Sequence, residues 1–237
     1  MRAFCSVDLD IRLIGEGGNN RIYEFNGFFN GYSSAVIRVS KRCNQRSVAE
    51  NIQKYNFLKR LGINTTALLE ECTFDGVPSL VTENLHNGYY TFLDANAHLL
   101  RDADILLREL DVNRKINSIW KEPEEERWFA DNKFSGITNL RVFIQRHNTL
   151  LYTLADSHLY IASDCYFFKV RKQSLTELDY IIADWDDIGL YDDVNDLATI
   201  NIEQFKDALL QFVDKYVEDD CDDYKGEIEQ VFFEWNR

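Results

Sequence analysis

Positive charge is scarce in this chain: 26 Lys and Arg stand against 40 Asp and Glu in 237 residues, a formal net charge of −14. Nucleic-acid backbones and anionic membranes are repelled by such a surface, so neither is expected as the main partner. Nucleotides stay open, because a local basic pocket or a metal ion offsets the global field. The 5 cysteines (Cys5, Cys43, Cys72, Cys165, Cys221) are odd in number, widely spaced and without a CxxC pair. That excludes a disulfide framework or a cysteine zinc site and suits reduced thiols in a cytosol. The 4 histidines show no HExxH-type spacing. No run approaches about 18 consecutive apolar residues, so no membrane span is expected. No signal peptide is read after Arg2, and the expected location is cytoplasmic, or a host cytosol if the protein is a delivered effector. No internal repeat or low-complexity tract stands out. What remains is the composition of a globular chain, 45% hydrophobic and 14% aromatic with only 2 Pro and 11 Gly, long enough for one substantial domain or a two-lobed one.

The first 85 residues read as strands around one helix. Residues 10–25 alternate around a Gly-rich turn, and Ala35-Val36-Ile37-Arg38-Val39 reads as a strand. Residues 47–61 carry Val48, Ile52, Tyr55, Leu58 and Leu61 at helical spacing. Ser47 with Glu50 forms a candidate capping box, and Gly62 closes the helix. Strands over 67–74 and 79–82 follow, joined by Asp75-Gly76-Val77-Pro78. After Asn87-Gly88 the texture becomes helical, over 92–110 and 139–151, with a polar acidic stretch at 122–127 between. A hairpin is expected over 159–170 and 178–183 around a polar turn at 171–177. Helices over 193–216 and 225–235 close the chain, separated by an acidic linker at 218–223. The layout is a strand-rich first part (1–86), a hinge near 83–88 and a larger helical part (87–237).

The chemistry concentrates in Tyr180-Ile181-Ile182-Ala183-Asp184-Trp185-Asp186-Asp187. A buried strand there runs into carboxylates that a core cannot hold uncompensated. Carboxylates at a strand's end can hold Mg²⁺ against nucleotide phosphates. A solvated acidic turn would look the same. Upstream, Gly15-Glu16-Gly17-Gly18-Asn19-Asn20 lies between two strands, where glycine lets backbone N–H groups approach phosphate oxygens. It is neither a Walker A loop nor a Rossmann fingerprint, because a strand follows it. Arg38, inside an apolar strand, must be paired or face a ligand. Glu50 is the expected partner, and Lys41 is the cation if the register slips.

In this order the parts resemble the protein-kinase-like superfamily, including its aminoglycoside- and choline-phosphotransferase branch and small bacterial kinases. The resemblance covers most of the chain. It implies an α+β, bilobal protein-kinase-like fold, with a small antiparallel β-sheet N-lobe carrying one main helix and a larger, mostly helical C-lobe. Gly15, Gly17 and Gly18 look like the Gly-rich loop, Arg38 the phosphate-binding cation and Glu50 its helix partner. Backbone groups from Glu83 to Leu85 would meet an adenine edge. Asp184 would bind Mg²⁺, with Asp186 and Asp187 taking a second ion or capping the next segment, and Trp185 packing beneath the cleft. Asp156, with His158, resembles the Asp-x-His start of a catalytic loop, with Asp156 as base and His158 anchoring the loop.

The departures matter as much. Arg38 stands where the family has Lys, and a planar guanidinium does not reproduce ammonium chemistry. The third loop glycine is absent. Five residues after Asp156 stands Ile161 rather than a metal-binding Asn, leaving Asp164 as its nearest substitute. No Ala-Pro-Glu segment follows Asp184. The resemblance therefore implies an atypical phosphotransferase moving the ATP γ-phosphate, with Mg²⁺, to a hydroxyl of a small molecule or protein. The acidic surface suits a cationic acceptor. The alternative is a pseudokinase, a nucleotide-binding or protein-interaction module that transfers nothing.

Overall fold

The computed structural model describes residues 2–4, 11–16, 19–25, 35–42, 45–85, 90–94, 136–171, 174–191, 196–217 and 221–235. The architecture is mixed α+β. Its larger sheet holds β1 (Arg2–Phe4), β2 (Ile11–Glu16), β3 (Asn20–Phe25), β4 (Ala35–Ser40), β5 (Leu68–Phe74) and β6 (Val77–Glu83), in spatial order β1-β5-β6-β4-β3-β2. Every pairing is antiparallel except the outer β1–β5 pair. Helix α1 (Gln45–Arg60) connects β4 to β5. The rest comprises β7 (Tyr90–Asp94), α2 (Leu140–Asp156), β8 (Leu159–Ile161), β9 (Tyr166–Arg171), β10 (Ser174–Ile182), β11 (Ile188–Leu190), α3 (Leu197–Tyr216) and α4 (Cys221–Trp235). Strands β10, β9 and β7 form a second sheet, and β11 pairs back onto β8.

Strand β4 sets the geometry of the larger sheet. Side chains alternate along a strand, so Ala35, Ile37 and Val39 share one face and pack with Cys72, Phe74 and Val81. Val36, Arg38 and Ser40 share the other face. There Ser40 Oγ lies 3.3 Å from Ser47 Oγ on α1, which places this face against the helix. The helix begins at Gln45, so Ser47 is a buried residue of its first turn rather than its cap. Docking on β4, not a capping box, fixes this end. Gly62 closes the helix as expected. Its φ is +72°, and the bonds Gly62 N–H to Lys59 O (3.1 Å) and Ile63 N–H to Leu58 O (3.0 Å) make a Schellman ending.

Two connections bring the halves together. Residues 63–67 are stitched to the end of β10: Ile182 N–H donates to Asn64 O (3.0 Å), Thr66 N–H to Ile182 O (3.0 Å), and Thr65 Oγ1 to the same carbonyl (2.8 Å). One core then runs from Val48, Leu58 and Leu80 through Trp185 to Phe168 on β9 and into α2, α3 and α4, where Phe143, Phe205, Phe212 and Phe232 are buried.

Several boundaries differ from expectation. The helix expected over 92–110 begins instead as β7, because Tyr90-Thr91-Phe92 pairs with the edge of β9; such pairing overrides helical spacing. Residues 95–110, the acidic stretch at 122–127, the hinge residues 86–88 and residues 218–220 lie outside the described residues. The strand expected over 159–170 is broken by a 3-10 turn at Ser163–Cys165, since β8 pairs with β11 while β9 pairs with β10. Helix α2 runs on to Asp156, and α4 begins at Cys221, taking in the end of the expected acidic linker. Among the described residues, no helix is long and apolar enough to cross a membrane.

Candidate functional site

The turn after β10 lies where the two sheets approach each other, and its side chains are held from three directions. From β4, Arg38 Nη2 donates to Asp184 Oδ1 at 2.9 Å, Arg38 Nη1 donates to the Ala183 carbonyl, and Asp186 Oδ2 lies 4.0 Å from Nη2. The start of β3 contributes Asn20 Nδ2, which donates to Asp186 Oδ2. Helix α1 supplies Asn51 Nδ2 to Asp186 Oδ1 at 2.9 Å. It also supplies Lys54 Nζ, to the Trp185 and Asp186 carbonyls at 2.9 and 3.0 Å. Trp185 is fully buried. Its indole N–H donates to Thr65 Oγ1 at 2.8 Å, its ring lies 5.2 Å from that of Tyr55, and the Arg38 guanidinium sits 5.5 Å from its centroid. Burial gives Trp185 a packing role and leaves no face for stacking a substrate.

Arg38 is therefore paired, as an apolar strand requires, but not with Glu50. That carboxylate is on the outer side of α1, bonded to Arg46 one turn earlier at 2.8 Å. The next residue, Asn51, faces the turn in its place. Lys41 is tied at the end of the β2–β3 hairpin, 2.9 Å from Glu16, which Arg21 also meets at 3.2 Å. The bond from Lys41 holds the Glu16 carboxyl below its ordinary range. Gly15 lies in β2 opposite Ile22, at an irregularity of register; Gly17 and Gly18 fall outside the described residues.

A second group of acids borders the turn. Asp164 sits in the 3-10 turn between β8 and β9, and Ala183 N–H donates to the neighbouring Cys165 carbonyl at 3.1 Å. Asp187 is half-buried, and its carboxyl is pushed up to about 6 by burial and then by the charges of Asp164, Asp184 and Asp186. Burial with the fields of Asp164, Asp184 and Asp187 likewise pushes the Cys165 thiol well up, so that thiol is inert at neutral pH. Among the described residues, the cations that reach this turn are Arg38, on Asp184, and Lys54, on the Trp185 and Asp186 carbonyls.

Of the expected metal set, Asp184 and Asp186 both lie against Arg38, and Asp164 sits in the neighbouring 3-10 turn. Asp186 gives both oxygens to amide N–H groups. Among the described residues, no three His, Cys, Asp or Glu side chains converge to hold an ion. The expected catalytic residues, Asp156 and His158, lie at the end of α2 and just after it. Asp156 is the exposed last residue of α2, and among the described residues none of its hydrogen bonds or ion pairs reaches the turn. Helix α2 runs past Leu151, with Leu154 and Ala155 continuing its buried face, and so takes in Asp156. His158 anchors a loop: at φ +58° its Nδ1 lies 3.2 Å from Tyr191 O, and its carbonyl accepts Tyr191 N–H at 2.9 Å. Glu83 is occupied at the end of β6, exchanging bonds with Ala67 through its N–H (3.0 Å) and Oε1 (2.7 Å). Leu85 is half-buried beyond it.

Asn20, Asn51 and Lys54 were not legible as site residues. One signal was available on α1, where Ser47, Asn51 and Lys54 follow i, i+4, i+7 spacing beside the apolar stripe, a polar line on a packed face. No protein-family model and no curated protein matches the chain.

Proposed function

We propose that this chain is a nucleotide-binding protein of bilobal, protein-kinase-like architecture, acting as a pseudokinase. The observation that carries the reading is the meeting of Arg38 and Asp184 at 2.9 Å across 146 residues of sequence. A strand cation and an acidic turn after a hairpin are the two groups between which kinase-like proteins hold nucleotide phosphates. The order of elements supports the same reading: a Gly-containing hairpin, the cation strand, one helix and two strands in 1–86. In 87–237 come a helix, a short strand, an acid-bearing turn, a hairpin and the Asp184 turn. The ligand is ATP, with its phosphates near Arg38. Transfer is disfavoured by the arrangement of the acids, with both Asp186 oxygens bonded and Asp156 exposed at the end of α2.

A second reading, an ATP- and Mg²⁺-dependent phosphotransferase acting on a hydroxyl of a small molecule or protein, is favoured by one observation. Asp164 follows β8 directly, and its charge acts on Asp187 together with that of Asp184. In that reading Asp164 orients the acceptor in place of Asp156.

Thermal-shift titrations with ATP, with and without Mg²⁺, on the wild type and Asp184→Ala test the proposal. Stabilisation by ATP is expected in the wild type. No shift under either condition removes nucleotide binding. Transfer of radiolabelled γ-phosphate to a mixture of cationic and hydroxylic acceptors, lost in Asp164→Asn, replaces the pseudokinase by the phosphotransferase.

A further inference from the structure

The turn between β10 and β11 carries oxygen atoms suited to a hard cation, yet nitrogen donors already occupy most of them. Asp184 Oδ1 accepts from Arg38 Nη2 and from the Asp186 N–H at 3.3 Å. The Ala183 carbonyl accepts from Arg38 Nη1. Both oxygens of Asp186 accept amide N–H groups, and Lys54 covers the Trp185 and Asp186 carbonyls. Among the described residues, Asp184 Oδ2 and the Asp187 carboxylate take no hydrogen bond, and Asp184 Oδ2 belongs to the carboxylate that Arg38 grips.

Arg38 is held there firmly. Its side chain is 11% exposed, it lies against the buried Trp185 ring, and its guanidinium spans a carbonyl and a carboxylate. A guanidinium does not lose its proton in a protein. It therefore stays a cation at the place where a metal would need oxygen ligands, and an arriving divalent ion meets a like charge.

We propose that Arg38 is the resident cation of this turn and keeps divalent ions off Asp184. It stands independently of nucleotide binding, since it concerns the cation alone. Asp184 is paired from within the fold, and the oxygens of Asp184 and Ala183 become available to a metal only when the guanidinium is removed. Hard oxygen donors of this kind, a carboxylate beside a backbone carbonyl, suit Mg²⁺, Ca²⁺ or Mn²⁺.

The test is a Mn²⁺ titration of the full chain without nucleotide, reading free Mn²⁺ by electron paramagnetic resonance. The wild type is expected to bind no Mn²⁺ at a site that depends on Asp184. Arg38→Met keeps the stem over Trp185 and removes the charge. It is expected to bind Mn²⁺ at least about tenfold more tightly than the wild type, and the gain should vanish in Arg38→Met combined with Asp184→Asn. Saturable wild-type binding that Asp184→Asn abolishes overturns the proposal, whether or not the Arg38 variants fold. So does a folded Arg38→Met chain, checked by circular dichroism, that binds no better than the wild type. If Arg38→Met fails to fold, Arg38→Gln takes its place with the same expected gain and the same overturning result.

Discussion

Replacing Asp187 with Asn should stabilise the protein at neutral pH and cease to do so in acid. The Asp187 carboxyl is raised from 3.8 to about 6, first by burial and then by Asp164, Asp184 and Asp186. A shift of about 2 units corresponds to about 3 kcal/mol at full strength. The side chain is only half-buried, so solvent screening reduces this to about 1 kcal/mol. The folded protein favours the protonated form. Its contribution is therefore complete below pH 3.8 and is lost as pH rises through 6. At pH 7.5 the ionised carboxylate strains the fold, and Asp187→Asn should raise stability by about 1 kcal/mol. Near pH 4 the two proteins should converge. Urea unfolding of both chains at several pH values reads the difference directly. Part of it is like-charge repulsion, so added salt should narrow the gap at pH 7.5. An Asn variant less stable than the wild type at pH 7.5, or an offset that does not change with pH, would refute the reasoning. Following the Asp187 carboxyl by NMR in Asp164→Asn adds a check, because removing that neighbour should lower its pKa.

The two sides of α1 should respond very differently to truncation. Asn51→Ala removes a part-buried bond to a carboxylate and should cost about 1–2 kcal/mol, whereas Glu50→Ala removes an exposed i,i+4 pair and should cost under about 0.5 kcal/mol. Urea midpoints that rank them the other way would mean that Glu50, not Asn51, faces the turn. His147 is buried against Phe205 with ring centroids 3.8 Å apart, and burial pushes its pKa from 6.5 down to about 3. The folded state keeps the ring neutral. That stability is complete above pH 6.5 and is lost as pH falls through 3, reaching about 5 kcal/mol. His147→Phe should flatten this acid limb in a circular-dichroism titration, and an unchanged acid midpoint would remove His147 as its cause.

Much of the fold could be read locally. Gly62 was recognisable as a helix stop because the left-handed residue after a helix is most easily glycine. The cation in β4 stood out because a charge in an apolar strand must be compensated. The Ile181-Ile182-Ala183 run marked a buried strand entering an acidic turn. The misreadings have a common origin. Leu159 to Val170 reads as one strand with apolar residues on both sides of Ser163-Asp164, yet β8 and β9 answer to different partners. Tyr90-Thr91-Phe92 shares its spacing with a helix, and only the edge of β9 decides against one. Asp156 resembles a catalytic loop residue by its neighbours in sequence, and the structure places it at the exposed end of α2.

The sequence by itself determined that a buried strand, a permanent cation and a run of carboxylates must coexist in this protein. It also determined that the cation had to be paired or face a ligand. Which of these, and with which acid, was settled by tertiary structure alone. Neighbours on a helix point about 100° apart, so docking α1 on β4 sends Glu50 to solvent and Asn51 to Asp186. The partner of Arg38 lies 146 residues away, brought within 2.9 Å because residues 63–67 are sewn to the end of β10. Local patterning specifies which elements form, but a charge takes whatever counter-charge the packed elements place beside it.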